Sequence, residues 1–414
     1  MNRWLLPSIL LIFVLLVDLY VFQAWRKVAS TLPLRWRNPF LLSYWLPAVG
    51  LAILLLTVLL GAPAQGISPL RSHAFALFVG LFLAKLLAAL FFLTDDLRRA
   101  ITWLFAGLGN TPAVATHENG TTIPRSLFLS WLGFASGGLL FGSMALGFRN
   151  KYRYRTEHIK VEFPQLPEAF RGLRIGHISD IHSGSLTDPM AVSRGVQRML
   201  DESPDIILFT GDLVNDHAGE MDGYHDLFAQ LKAPMGVYSC LGNHDYGDYR
   251  RWPSHKAKAE NLERLKATHA SMGWRLLMNE HVTLERNGER IAVLGIENWG
   301  AKGFTKYGRL ADAYRGTEEF PFRILLSHDP SHWEAQVLTE YPDIDLMLSG
   351  HTHGMQFGIE IPGFRWSPVQ YVYRQWAGLY RRGRQFLYVN RGFGFLGYPG
   401  RVGILPEITI IELA

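Results

Sequence analysis

Hydrophobic and polar positions alternate on two different length scales in this chain. Before residue 150, apolar side chains fill four long stretches, Leu5–Ala24, Leu41–Leu60, Phe75–Leu93 and Leu127–Phe148. Each approaches the ~20 residues a helix needs to cross a hydrocarbon core. Aromatic residues (Trp4, Tyr20, Trp25, Trp45 and Trp131) sit toward several of their ends, as an interfacial belt requires. The pattern predicts an N-terminal region, 1–150, of about four transmembrane helices. Trp25-Arg26-Lys27 follows the first stretch where a cleaved signal would have small residues, so it reads as a retained span. Asp18 and Lys85 lie inside spans; a charge facing lipid is costly, so both are expected to face other helices or to snorkel.

Beyond residue 172 the apolar runs become short and β-branched. They cover 173–180, 205–212, 236–243, 290–297, 322–328 and 344–351, with two more at Phe386–Asn390 and Glu407–Leu413. Segments of helical periodicity, such as Pro189–Glu202 and Ala257–Met272, lie between several of them. This alternation predicts an α/β domain over 173–414, joined to the membrane region by a basic linker and first strand region over 151–172.

Composition sharpens this division. The hydrophobic fraction of 48% is concentrated before residue 150, so its average conceals a membrane part and a soluble part. The single cysteine, Cys240, excludes an internal disulfide framework. Much of the net charge of +5 lies in clusters beside apolar stretches, which suits membrane anchoring, and no nucleic-acid partner is expected. Arg26, Lys27, Arg35, Arg37, Arg98, Arg99 and Arg125 on one side nearly balance Arg3, Arg71, Arg149, Lys151, Arg153 and Arg155 on the other; the first helix tips the reading to a cytoplasmic first loop, and hence an extracytoplasmic C-terminal domain. The Pro124–Leu129 segment reads either as an export signal lacking one of its twin arginines, which leans the same way, or as an ordinary helix start with one flanking arginine.

The chemistry is concentrated where the short runs end. Strand after strand closes on a metal-ligand type: Asp180-Ile181-His182, Gly211-Asp212, Gly242-Asn243-His244-Asp245, Ser327-His328 and Gly350-His351-Thr352-His353. Ligands in α/β sheets bind beyond the carboxyl ends of strands, where segments distant in sequence converge. Asp180, His182, Asp212, Asn243, His328, His351 and His353 form an imidazole, carboxylate and amide set without thiolate, which suits Mn, Fe or Zn. Seven ligands exceed the needs of one ion, and a carboxylate such as Asp212 can bridge two ions. His244, beside a ligand but not needed as one, is the candidate general acid for a leaving alkoxide.

These five motifs, in this order, resemble the signature of calcineurin-like metallophosphoesterases, and the resemblance covers the chain from about Arg174 onward. Within that superfamily the chain is similar to a bacterial branch of membrane-associated phosphodiesterases, with Asn390–Gly394 and Pro406-Glu407-Ile408 as less specific matches. The resemblance implies a β-sandwich flanked by helices, following the four-helix transmembrane region. It also implies two divalent ions, manganese first. One would be held by Asp180, His182, Asp212 and His353, and the other by Asp212, Asn243, His328 and His351.

The implied activity is hydrolysis of phosphodiester or pyrophosphate bonds at a bacterial cell membrane. The implied partners are the bilayer and a phospholipid or lipid-linked pyrophosphate. Protein serine/threonine phosphatases carry arginines beside the second and third motifs; here Asp212 is followed by Leu213-Val214-Asn215-Asp216 and Leu241 precedes Gly242, which disfavours that subgroup. Arg391 is read either as a phosphate contact or as a packing residue. The aromatic segment from Phe364 to Trp376 is read either as a lipid-facing lip or as a local cluster. Tyr246–Asn261 is a candidate cap.

Overall fold

A computed structural model describes residues 5–60, 69–106 and 125–414. Trp4 and Pro124 lie outside them. The chain divides into two compact units between Leu146 and Gly147.

The N-terminal unit has four long helices among the described residues: Leu5–Ala29, Leu34–Leu60, Pro69–Ala106 and Arg125–Gly147. Two of the described helices, over Leu70–Phe105 and Arg125–Asn150, are long and apolar enough to cross a membrane. Val17, Val21, Tyr44, Ala88 and Phe92 form the shared core of the first three helices. Gly133 and Gly137 sit four apart against the third helix; a Cβ at Gly137 would lie 2.5 Å from the Ala84 carbonyl oxygen. Small residues at this spacing let two helix backbones approach closely. Asp18 and Lys85 form an ion pair, and the Tyr44 hydroxyl donates to Asp18 Oδ1 at 3.0 Å. The two charges therefore meet each other between helices.

The C-terminal unit is built on two six-stranded sheets. In spatial order the first comprises Arg155–Val161, Glu407–Leu413, Arg174–Ile178, Ile206–Phe209, Val237–Ser239 and Arg275–Leu276. The second comprises Gly378–Arg382, Gln385–Val389, Leu346–Ser349, Arg323–Leu326, Glu289–Gly295 and Glu280–Arg286. Arg174–Ile178, Ile206–Phe209 and Val237–Ser239 run parallel, as do Glu289–Gly295, Arg323–Leu326, Leu346–Ser349 and Gln385–Val389.

Strands buried on both faces read as continuous apolar runs, and the two faces are separable here. Ile206, Leu208, Val293, Ile324, Leu326 and Leu348 meet in the core between the sheets. Ile207 and Phe209 point the other way, onto Val192, Val196, Met199 and Leu265 of the flanking helices. On the far side, Leu294, Leu325 and Met347 pack with Leu310, Trp333 and Val337. The result is helix, sheet, sheet, helix, each buried Leu or Ile contributing roughly 1.5–3 kcal/mol.

The flanking helices start where their caps dictate. Asp188 accepts from Ala191 N at 3.0 Å ahead of Pro189, and Ser254 accepts from Ala257 N at 3.1 Å. The structure adds strands absent from the sequence expectation, among them Glu280–Arg286, Gly378–Arg382 and the hairpin of Ile359–Ile361 with Phe364–Trp366.

Candidate metal centre

Five strands aim their carboxyl ends at one place. The chain leaves Arg174–Ile178 into Asp180 and His182, Ile206–Phe209 into Asp212, and Val237–Ser239 into Asn243 and His244. From the second sheet, Arg323–Leu326 runs into His328 and Leu346–Ser349 into His351 and His353. Each strand end turns at once rather than running on. Asp180, His182, Asp212, His351 and His353 all adopt positive φ, between 48° and 70°. Non-glycine residues reach this region only at a cost, about 1–3 kcal/mol each where the site is strained, and such residues cluster at functional sites. Two glycines make the approach feasible. A Cβ at Gly242 would lie 2.2 Å from Asp212 Oδ1, and one at Gly350 would lie 2.1 Å from Asp180 Oδ2.

The side chains converge as two triads, buried Asp180 with His182 and His353, and buried Asp212 and His328 with half-buried His351. In the first, His353 Nε2 lies 3.2 Å from Asp180 Oδ1 and 3.1 Å from His182 Nε2. In the second, His328 Nε2 lies 3.1 Å from Asp212 Oδ2 and 3.2 Å from His351 Nδ1. Asp212 Oδ2 also lies 3.5 Å from His182 Nε2, so a single carboxylate oxygen faces both groups. Asn243 stands beside them with its amide nitrogen donating to Tyr249 Oη at 2.9 Å, which leaves its buried Oδ1 without a partner.

The electrostatics favour cations. Burial pushes His182 down to about 3 and lowers His351, so both rings are neutral and their lone pairs are available. Burial opposes a charge on His328 as well, but the Asp212 carboxylate outweighs it and pushes that ring up to about 10. A positive charge is thus stabilised between His328 and Asp212. With His328 Nδ1–H donating to the Thr210 carbonyl at 2.7 Å, its Nε2 is the nitrogen facing that position. Two carboxylates, four imidazoles and an unsatisfied amide oxygen fit divalent ions of the first transition series.

His244 lies against this cluster, its ring centroid 5.0 Å from that of His182. Its backbone N–H donates to Asp212 Oδ1 at 2.9 Å, and its Nδ1 lies 2.8 Å from the Asn215 carbonyl oxygen. All eight residues expected from the sequence therefore belong to one neighbourhood.

Sequence reasoning overlooked the groups that hold them. Buried Asp245 accepts backbone N–H groups from Gly242, Asp212 and Leu213 at 2.8–2.9 Å. Buried Arg401 donates to the carbonyls of Arg391 at 2.7 Å and Gly392 at 3.0 Å, and lies 3.4 Å from His353 Nδ1. Only the acidic residue closing the third motif carried a readable signal. Arg391 is a packing residue: its guanidinium is buried between Glu407 and Glu360. His177 points into the core, 2.9 Å from Thr210 Oγ1. In the expected cap segment, the Tyr249 ring lies 4.6 Å from the His244 ring, tilted 45° to it.

Two imidazole and carboxylate triads at the carboxyl ends of strands make a candidate metal centre, and the comparisons with known proteins point to its class. Residues 173–355 match the calcineurin-like phosphoesterase family, and residues 2–151 match a domain described as the transmembrane domain of a probable calcineurin-like phosphoesterase. The chain thus carries a calcineurin-like phosphoesterase domain preceded by a transmembrane domain of the kind found with it. A transmembrane protein with metallophosphoesterase domain from Danio rerio is 33% identical over 62% of this chain and 56% of its own length. The uncharacterized metallophosphoesterase YkuE of Bacillus subtilis is 29% identical over 67% of this chain and 94% of its own. The UDP-2,3-diacylglucosamine pyrophosphatase LpxG of Chlamydia trachomatis is 29% identical over 55% of this chain and 81% of its own. This chain thus spans little more than half of the zebrafish protein and nearly all of YkuE.

Proposed function

We propose that this protein is a membrane-anchored phosphoesterase that hydrolyses phosphodiester or pyrophosphate bonds in lipid or lipid-linked substrates through a dinuclear metal centre. The observation that carries the reading is Asp212 Oδ2, which faces His182 of one triad and His328 of the other. In this reading Asp180, His182, Asp212 and His353 would hold one divalent ion, and Asp212, Asn243, His328 and His351 would hold the second. Manganese is the first candidate and iron or zinc the alternatives. Such ions supply Lewis acidity toward the phosphoryl group and lower the pKa of water to near neutrality.

The chain's own residues do the rest. The Asn215 carbonyl can only accept, so His244 Nδ1 carries a proton, and in the imidazolium Nε2–H is the transferable one. Donation from Nε2 to the leaving oxygen returns His244 to a neutral ring still anchored at Nδ1. Asp245 keeps the Asp212 and Gly242 turns in register, and Tyr249 orients the Asn243 amide so that its oxygen is free to ligate.

The lipid assignment draws on the transmembrane family match and on LpxG, whose name gives a diacylated sugar nucleotide as its substrate. Four spans in the N-terminal unit and an extracytoplasmic C-terminal unit complete the proposal, in a bacterial cell membrane.

The test is turnover of bis-p-nitrophenyl phosphate and p-nitrophenyl phosphate by the full chain in detergent, with and without Mn, beside His244→Ala. Metal-dependent cleavage of the diester that disappears in the variant is the expected result. Equal turnover by the two proteins would remove His244 from the chemistry. No turnover by the metal-loaded parent, on these compounds and on a lipid pyrophosphate, would sink the assignment.

A further inference from the structure

The hairpin of Ile359–Ile361 and Phe364–Trp366 has its binary pattern turned inside out. The register pairs Ile359 with Trp366 and Ile361 with Phe364, placing these four side chains on one face, with Glu360 and Arg365 on the other. A surface hairpin ordinarily buries its apolar face. Here the charged face is the inner one. Glu360 pairs with buried Arg391 and lies 3.7 Å from Arg155, while the Arg365 guanidinium stacks 5.2 Å from the Trp376 ring. The apolar face looks outward, and exposed Met355, Tyr371 and Val372 lie near it along the chain, Tyr371 Oη reaching to 3.5 Å from Trp366 Nε1. These three, with Ile359, Ile361 and Phe364, are between 48% and 78% exposed. Scattered exposed apolar residues need no explanation, but a contiguous group of large ones marks an interaction surface.

Two further observations say what covers it. The first is its place relative to the chain's exit from the membrane domain. Gly147 is the last residue of the fourth helix, and its carbonyl accepts from Arg401 N at 3.0 Å, while Asn150 Nδ2 donates to the Arg401 carbonyl at 3.1 Å. The next residue, Val402, bonds Gln356 O at 2.8 Å and Gly358 N at 2.9 Å, at the base of the hairpin. The base of the hairpin is thus tied by a short run of backbone hydrogen bonds to Gly147, the residue at which the C-terminal unit begins. The second is its place relative to the metal centre. Met355 lies two residues past His353, and Tyr373, one past Val372, places its hydroxyl 2.9 Å from His351 Nε2. Exposed Arg374, two past Val372, adds the charge that suits anionic headgroups.

We propose that this outward face inserts into the acyl region of a lipid layer, seating the metal centre at headgroup depth. The surface is defined by its own geometry. Its use, delivering a lipid phosphoester to His244 and the two triads, rests on the phosphoesterase reading above.

The test uses the full chain reconstituted in phosphatidylcholine–phosphatidylglycerol vesicles. Ile361→Cys is labelled with bimane; Cys240 is fully buried, which directs the label to position 361. A Lys256→Cys label, on an exposed position of the helix His255–Ser271, is the control. Phosphatidylcholine carrying a nitroxide on its acyl chain is expected to cut emission at 361 about twofold or more, as for a group ~5–10 Å into the interface. Aqueous iodide is expected to act at 256 alone. Quenching at 361 by iodide and not by the lipid nitroxide would overturn the proposal. So would protection from both, which would mean that protein covers the face.

An Ile361→Ser/Phe364→Ser chain is expected to keep its detergent-phase turnover of bis-p-nitrophenyl phosphate. Absence of that turnover in the parent chain would remove the phosphoesterase reading and leave the quenching result intact.

Discussion

His244 Nδ1 lies 2.8 Å from the Asn215 carbonyl oxygen, a backbone acceptor that no side-chain substitution removes. The contact fixes the ring so that Nε2 is the nitrogen left to act. His244→Ala is expected to lower kcat on a diester by about 10²–10⁴, the usual contribution of a positioned acid. Bound metal should stay unchanged, because no ligand is lost. Metal analysis alongside steady-state kinetics checks both halves. A variant that loses metal together with activity would make His244 a ligand instead.

Asp245 works entirely through backbone. Its carboxylate accepts from Gly242, Asp212 and Leu213 and so ties the second metal motif to the third. Asp245→Asn keeps one acceptor oxygen and turns the other into a donor facing N–H groups. At roughly 1–3 kcal/mol for each buried donor left unpaired, a loss of about 2–4 kcal/mol is expected in denaturant unfolding. Weaker metal retention should accompany it. Full stability in this variant would show that the turns hold without the clamp.

Legibility of the site followed from this division of labour. Asp180, Asp212, His328 and His351 each terminate an apolar run, so a short motif announces them. Asp245 carried half a signal, closing a motif whose use was unread. Glu407 showed only inside a less specific match whose use was unread, and Arg401 carried none, since a buried arginine collecting carbonyls from residues 391 and 392 has no local pattern. The fold behaved similarly. Runs such as Ile206–Phe209, buried on both faces, were plain, while edge strands such as Glu280–Arg286 and Arg155–Val161 are partly exposed and mix charge into their alternation. Their place is set by partners far along the chain; Arg155–Val161 pairs with Glu407–Leu413.

Arg391 separates a structural cation from a substrate contact. Its pairs with Glu407 and Glu360 are buried, and Glu407 also accepts from Tyr388 Oη at 2.7 Å and Thr409 Oγ1 at 2.6 Å. Arg391→Met should cost about 3–5 kcal/mol by stranding Glu407, and adding Glu407→Gln should recover part of it. KM for a diester, measured on folded protein, should stay within about twofold, since Glu360 and Glu407 already engage the guanidinium. A large rise in KM with stability intact would restore the phosphate-contact reading.

Three histidines outside the ligand set are buried neutral. Burial pushes His177 and His332 down to about 4 and His269 to about 3, against an ordinary 6.5. The unfolded chain therefore binds more protons between about pH 6.5 and pH 4. Stability from this source is complete above pH 6.5 and declines as pH falls through that window. His269→Gln, which can still hydrogen-bond Ser239, should flatten the decline by about 1.4 kcal/mol per pH unit, one proton's share. Unfolding midpoints of the full chain from pH 7.5 to pH 4 measure it, and an unaltered slope would mean that His269 does not titrate on unfolding.

The Asp18–Lys85 pair gives the membrane unit its own test. Both side chains are largely enclosed, 16% and 11% exposed, and Tyr44 caps the carboxylate. An enclosed pair tolerates joint replacement far better than the loss of one partner, because a single survivor is an uncompensated charge. Lys85→Met and Asp18→Asn are each expected to lower the thermal midpoint in detergent. The double variant should recover most of the loss and keep wild-type turnover of bis-p-nitrophenyl phosphate. Recovery of stability without recovery of turnover on a bilayer substrate would assign these charges a part in delivering substrate. Additive losses would show that the two residues act apart despite their contact.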